Sequence, residues 1–111
     1  MLIRKIEAST GNIVHIAGDA EYGFAGDGGS ASTAKFYYPF GLALDSTGHL
    51  YIADYLNFRV RKVDSISGNI STIAGSFGNV GDGGLATSAV LTYPTGVSTN
   101  SKGDLYIADL Y

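Results

Sequence analysis

The sequence of 111 residues has no cysteine, no tryptophan and only two prolines, and its charged residues make up 15% of the total. Without cysteine the chain has no disulfide framework and no thiolate metal site. The charged fraction lies well below the roughly 25% of an average globular domain, and the lysine and glutamate that cover surface helices are scarce, which argues against a helical bundle. No hydrophobic run approaches the roughly 20 residues of a membrane-spanning helix, so no membrane span is predicted.

Positive charge is also scarce. The chain has seven lysine and arginine residues against ten aspartate and glutamate residues, which gives a formal net charge of −3. Such a chain has no basic field to attract phosphates, and we expect no nucleic-acid partner. The residues that are abundant are glycine, with 16 copies, tyrosine, with eight, and phenylalanine, with five. Glycine is typical of tight turns and aromatic residues of strands, so the composition favours an all-β fold.

One unit of sequence occurs twice. Ile3–Ile6 recurs 57 positions later at residues 60–63. The Gly-Asp-Gly-Gly of residues 26–29 recurs 55 positions later, and so does Leu-Tyr-Ile-Ala-Asp at Leu50–Asp54. At this register 24 of 47 aligned residues are identical, so the repeat is not accidental.

The complete copy contains four strand-like runs, at residues 41–45, 50–54, 58–63 and 69–74, and a single helical turn is predicted within residues 85–91. Small residues between leucines in the first run predict a strand buried on both faces. The third run is expected to expose Arg59 and Arg61 on one face. Four short antiparallel strands that recur every 40 to 50 residues are typical of a β-propeller blade, with a linear solenoid as the alternative.

The Pro-Phe-Gly-Leu-Ala-Leu-Asp of residues 39–45, the Gly-His-Leu-Tyr-Ile-Ala-Asp of residues 48–54 and the Asn-Phe-Arg of residues 57–59 together resemble the NHL repeat. Ile-Ala-Gly followed by Gly-Asp-Gly-Gly is similar to the long-loop variant of teneurin-type NHL repeats. The resemblance implies a β-propeller segment with about two four-stranded blades' worth of sequence. Residues 1–40 would be the outer strands of a first blade plus a connection, residues 41–95 a complete blade plus a connection, and residues 96–111 the inner strands of the next blade.

Few residues have the spacing of a chemical site. Asp54 and Asp109 end equivalent strands and are expected to cap the turns that follow, while Asp45 opens a turn. The Gly-Asp-Gly-Gly loops are expected to serve backbone conformation, because each offers one carboxylate to Ca²⁺ and lacks the lysine of a phosphate loop. His15 and His49 are the only histidines and lack zinc-like spacing. We therefore predict no catalytic, cofactor-binding or metal-binding residue and no cofactor.

These observations lead to the hypothesis of a non-catalytic interaction or scaffold module, part of a larger propeller or of a homo-oligomeric ring. Three chains of two blades would give six blades. A protein partner is expected, and Tyr55 and Tyr111, which follow the strand-ending aspartates, are candidate interface residues. The alternatives are a segment of a catalytic NHL-like propeller, either lyase or hydrolase, and an extracellular adhesion-type propeller.

Overall fold

The computed structural model describes residues 1–76 and 81–111, so residues 77–80 of the second predicted connection lie outside it. The described residues form eight β-strands and three single turns of 3-10 helix, with no α-helix among them. The strands are β1 (Ile3–Ile6), β2 (Ile13–Ala17), β3 (Pro39–Leu44), β4 (Leu50–Asp54), β5 (Arg59–Val63), β6 (Ile70–Ala74), β7 (Pro94–Thr99) and β8 (Leu105–Asp109). Within these residues, no helix has the length and hydrophobicity needed to cross a bilayer.

The strands form three antiparallel sheets that follow the sequence repeat. A four-stranded sheet has the order β3-β4-β5-β6, and it stands between the two-stranded sheets β1-β2 and β7-β8. By the repeat, β1-β2 are equivalent to the outer pair β5-β6, and β7-β8 to the inner pair β3-β4. The prediction of an all-β propeller segment with a half blade, a whole blade and a half blade is confirmed. The helical turn predicted after the second Gly-Asp-Gly-Gly is the 3-10 turn Ala86–Ser88, and its counterpart in the first unit is Ala31–Thr33.

The main hydrophobic core joins the first sheet, the first connection and the four-stranded sheet. It consists of the buried side chains Ile3, Ala17, Ala31, Ala34, Phe36, Ile52, Val63 and Ile70. The members on β4, β5 and β6 are Ile52, Val63 and Ile70, and the strand register places all three on one face of the sheet. The connection contributes Phe36 and small alanines, which let the loop approach the sheet closely.

The inner strand β3 packs directly on β7 through glycine. A Cβ atom on Gly41 would lie 2.6 Å from the carbonyl oxygen of Thr95 and 2.8 Å from the Cα of Gly96, so only glycine permits this approach. The opposite face of β3 carries Leu42 and Leu44, which are 48% and 62% exposed. The prediction that this strand is buried on both faces is therefore wrong, because among the described residues only the β7 side is covered.

Candidate functional site

Arg61, in the middle of β5, is one of two fully buried charged residues in the described part of the chain. Its side chain is 0% exposed, whereas the sequence pattern predicted an exposed arginine. Its guanidinium donates to Asp27 from Nε at 3.2 Å and from Nη2 at 3.0 Å, to Asp54 from Nη1 at 3.3 Å, and to the carbonyl oxygens of Ala25 and Lys35 at 2.7 Å each. The prediction of exposure is wrong, because the long connection folds back over this face of the sheet and supplies these acceptors.

Asp54 is the other fully buried charge, and its partners differ from those expected of a turn cap. Its Oδ1 accepts the backbone N–H of Tyr37 at 2.8 Å, and its Oδ2 accepts the side-chain amide of Asn57 at 2.8 Å and the guanidinium of Arg61. No side-chain hydrogen bond caps the 3-10 turn that follows. Burial raises the pKa of Asp54, and the hydrogen bonds from Asn57 and Tyr37 and the charge of Arg61 only partly offset this rise. Asp54 therefore ties the connection to the blade.

The first Gly-Asp-Gly-Gly loop, residues 26–29, is hydrogen-bonded to the outer strand β6. Gly26 and Gly28 have φ of +100° and +87°, the left-handed region that glycine adopts readily. Gly28 donates to the carbonyl oxygen of Ile70 at 2.7 Å, and Ile70 donates to that of Gly29 at 2.9 Å. The carboxylate of Asp27 accepts from Arg61 and from the hydroxyl of Thr72, so it joins this partly exposed loop to β5 and β6.

Asp45 and Asn100 shape equivalent turns, as the sequence predicts. Asp45 Oδ1 accepts the backbone N–H groups of Thr47 and His49 at 3.0 Å each, and Asn100 accepts the corresponding pair from Lys102 and Asp104. Desolvation acts to raise the pKa of Asp45, but the hydrogen bonds, first that from the Tyr51 hydroxyl, lower it to about 2.

The two histidines lie apart and neither is placed to bind metal with other ligands. Nδ1 of His49 accepts the backbone N–H of Ser65 at 3.0 Å, which joins two neighbouring turns. His15 is exposed on β2, opposite Arg4 of β1. Among residues 1–76 and 81–111, no three His, Cys, Asp or Glu side chains are grouped to hold a metal ion.

A continuous row of aromatic rings crosses one end of the sheets. Neighbouring ring centroids lie 4.9 to 6.5 Å apart. We call this set the aromatic row: Tyr22, Tyr37, Tyr38, Phe40, Tyr55, Tyr93 and Tyr111.

The topology explains why these rings meet. Pro39 pairs with Asp54, and Pro94 pairs with Asp109, so each inner strand starts where its neighbour ends. One face of the molecule therefore carries the residues just before β3 and β7 together with those just after β4 and β8. The sequence analysis identified Tyr55 and Tyr111 as surface candidates but missed the row, because it joins residues up to 89 positions apart.

The sequence family is decided by a profile match. The profile of the teneurin NHL domain matches residues 4–80, well over half of the chain. The chain belongs to the teneurin NHL domain family. The predicted NHL resemblance is confirmed, and NHL-repeat domains in general act in protein interactions.

Relatives of this NHL chain are much longer than it is. Human NHL repeat-containing protein 2 is 29% identical, and the match covers 96% of this chain and 16% of that protein. The chloroplastic protein SUPPRESSOR OF QUENCHING 1 of Arabidopsis thaliana is 27% identical over 96% of this chain and 11% of its own length. The chain thus spans less than a fifth of these curated relatives.

Among solved structures, a protein of unknown function from Bacteroides thetaiotaomicron superposes on this NHL chain with a TM-score of 0.83. The two are 27% identical, and the match covers 97% of this chain and 27% of the other. The fold of this NHL chain therefore corresponds to about a quarter of that solved structure.

Proposed function

We propose that this NHL chain is a non-catalytic interaction or scaffold module that binds protein partners through the aromatic row. In this proposal residues 1–40, 41–95 and 96–111 are the half, whole and half blades of a larger propeller. The observation that carries it is the exposure of the row. Tyr22, Tyr38, Phe40 and Tyr111 are 71%, 49%, 59% and 84% exposed although they lie in one continuous set of ring contacts.

Exposed aromatic residues of this density favour protein binding on physical grounds. Tyrosine and phenylalanine bury a large area on contact and lose little side-chain entropy, and both are enriched at the centres of interfaces. Tyrosine also leaves a hydroxyl for polar contact at the rim. The rings already pack on one another, so the surface is formed before a partner arrives, which lowers the entropic cost of association.

Three aspartates have contacts that hold the fold. The carboxylates of Asp27 and Asp54 are both engaged by Arg61, and Asp45 is engaged in its own turn. Each of these carboxylates therefore has a role in holding the fold, which favours the binding proposal over a catalytic one.

The test compares the proteins recovered by immobilised chains. We expect the triple variant Tyr38→Ser, Phe40→Ser and Tyr111→Ser to lose the specific partners that the wild type recovers. The matched control is Ile66→Ser with Leu85→Ser, because these side chains are 93% and 76% exposed and lie outside the row. Recovery of the same partners by the triple variant, shown by circular dichroism to be folded, would refute the proposal.

A further inference from the structure

The carboxylate of Asp54 is hydrogen-bonded to two segments that carry rings of the aromatic row. Its Oδ1 accepts the backbone N–H of Tyr37 at 2.8 Å, and its Oδ2 accepts the side-chain amide of Asn57 at 2.8 Å. The same nitrogen of Asn57 also donates to the carbonyl oxygen of Gly23 at 2.8 Å, next to Tyr22 in the sequence. Asp54 and Asn57 thus hold the connection between β2 and β3 against the turn that follows β4.

The backbone of that turn makes a second set of bonds to the row. It is the 3-10 turn Tyr55–Asn57. The N–H of Tyr55 donates to the carbonyl oxygen of Tyr38 at 3.2 Å, and the N–H of Leu56 donates to that of Tyr37 at 2.9 Å. The ring of Tyr55, in the middle of the row, is therefore fixed relative to Tyr37 and Tyr38 by hydrogen bonds on both sides of the contact.

Two aromatic residues beside this network have a strained backbone. Tyr38 and Phe58 both have a φ of +56°, in the left-handed region that is unfavourable for a bulky side chain. Such a conformation persists where the surrounding contacts over-determine it, and it is found preferentially at functional sites. Tyr55 supplies contacts to both, because its N–H binds Tyr38 and its carbonyl oxygen accepts the N–H of Phe58 at 3.2 Å. The ring of Phe58 lies 5.4 Å from that of Tyr93, so the strain places one more aromatic ring beside the row.

The second unit repeats the contact between the strand-ending aspartate and the segment before the inner strand. Asp109, the counterpart of Asp54, accepts the N–H of Thr92 at 3.0 Å and that of Tyr93 at 2.8 Å. The N–H of Leu110 donates to the carbonyl oxygen of Tyr93 at 3.2 Å, in the same way as the first residue after β4. The contact therefore recurs where a ring of the row precedes an inner strand.

We propose that Asp54 and Asn57 are positioning residues for protein binding, which set the geometry of the aromatic row before a partner arrives. This inference rests on the proposed function of the row. Asp54 is 0% exposed, so it acts through the backbone of Tyr37 and through the turn and does not touch the partner. Its ion pair with Arg61 contributes to stability, whereas its hydrogen bonds to Tyr37 and Asn57 shape the surface.

The first test separates these two contributions with two substitutions of the same residue. Asp54→Asn keeps an oxygen that can accept the N–H of Tyr37 but removes the charge that pairs with Arg61, whereas Asp54→Ala removes both. Tyr37, Tyr38 and Tyr55 are three of the six tyrosines of the row and belong to this network. We expect folded Asp54→Ala to lose about half of the near-ultraviolet circular dichroism and Asp54→Asn to keep most of it, although both unfold at lower urea concentrations than the wild type.

Ile70→Ala is the matched control for lost stability. Ile70 is 1% exposed, and the strand register places it level with Val63 and Leu50, at the end of the blade opposite the row. Its truncation destabilises the core without removing a contact of the row, so we expect the near-ultraviolet spectrum of the wild type. Asn57→Ala is the second test variant, because Asn57 is partly exposed and its truncation disturbs the core less than Asp54→Ala. It removes the bond to Gly23, and we expect it to reduce the same signal.

The second test is partner recovery by the same immobilised variants, under conditions in which far-ultraviolet circular dichroism shows each of them to be folded. We expect Asp54→Ala and Asn57→Ala to lose the proteins that the triple variant of the row loses. Asp54→Asn and Ile70→Ala are expected to recover them as the wild type does.

The proposal is overturned if folded Asp54→Ala and Asn57→Ala keep the wild-type spectrum, or if Asp54→Asn loses as much of it as Asp54→Ala. Full partner recovery by variants whose spectrum has changed would also overturn it. Failure of the proposed function has a different sign, because the triple variant of the row would then recover the partners, while the spectra would still decide whether Asp54 positions the rings.

Discussion

Replacing Arg61 with methionine is the most direct test of what holds the blade together. Methionine keeps most of the apolar stem but removes five hydrogen bonds. The substitution leaves Asp54 buried without its cation, which in other proteins costs about 3–5 kcal/mol of unfolding free energy. For a domain of this size we expect a drop in melting temperature of roughly 12–20 °C.

The assay is urea unfolding of the full chain followed by far-UV circular dichroism, at two pH values. Burial already raises the pKa of Asp54, and loss of Arg61 removes a charge that lowers it. In the variant the folded state therefore favours a protonated Asp54 more strongly than the unfolded state does, and the destabilisation shrinks as the pH falls through that raised pKa.

Lys62→Met is the matched control, because Lys62 is the next residue of β5, on the opposite face, and its ammonium group has no hydrogen bond or ion pair among the described residues. Its effect on the free energy of unfolding is expected to stay within about 0.5 kcal/mol. An Arg61→Met variant as stable as this control would refute the reasoning that the buried ion pairs fasten the connection to the blade.

Two further substitutions test local features. Asp45 has a pKa lowered to about 2, so the stability that it contributes is present above pH 4 and is lost as the pH falls toward 2. The variant Asp45→Asn places at this position the residue found at Asn100 and is expected to fold. Its free energy of unfolding is expected to fall less steeply with decreasing pH than that of the wild type. Gly41→Ala is expected to cost about 1–3 kcal/mol of unfolding free energy, measured by urea unfolding, because its Cβ would lie 2.6 Å from the Thr95 carbonyl oxygen. In Gly96→Ala the new Cβ would lie 3.6 Å from the Cβ of Ala108, so the cost is expected to be smaller. Equal effects of the two alanines would argue against close packing of the inner strands.

Much of the fold follows from the sequence because its repeat carries strong local signals. Alternation in Leu-Tyr-Ile-Ala-Asp predicts a strand, and Asp45 before Gly48 predicts a turn, and both depend on residues only a few positions apart. The repeat then transfers each prediction from one unit to the other. The observed strand boundaries differ from the predicted ones by one or two residues. For example, β3 begins at Pro39, whereas the prediction began at Gly41.

The candidate site follows less well, because its contacts are long-range. Arg61 meets Asp27 across 34 positions, and no local pattern distinguishes it from an exposed arginine such as a surface strand usually carries. The one available signal was that both residues have counterparts in the repeat. Arg4 corresponds to Arg61, and Asp82 corresponds to Asp27. The aromatic row was missed for the same reason, since it depends on how neighbouring sheets meet.

The aromatic row also gives the chain an intrinsic spectroscopic signal that depends on how its parts pack. There is no tryptophan, and six of the eight tyrosines belong to the row, with centroids close enough for their electronic transitions to couple. Near-ultraviolet circular dichroism, which senses fixed aromatic packing, will therefore report mainly on the row, which joins the first connection, the four-stranded sheet and the β7-β8 hairpin. A change in the angle between sheets will alter that spectrum even when every strand stays intact, so the docking of blades can be followed separately from the formation of strands, without any label.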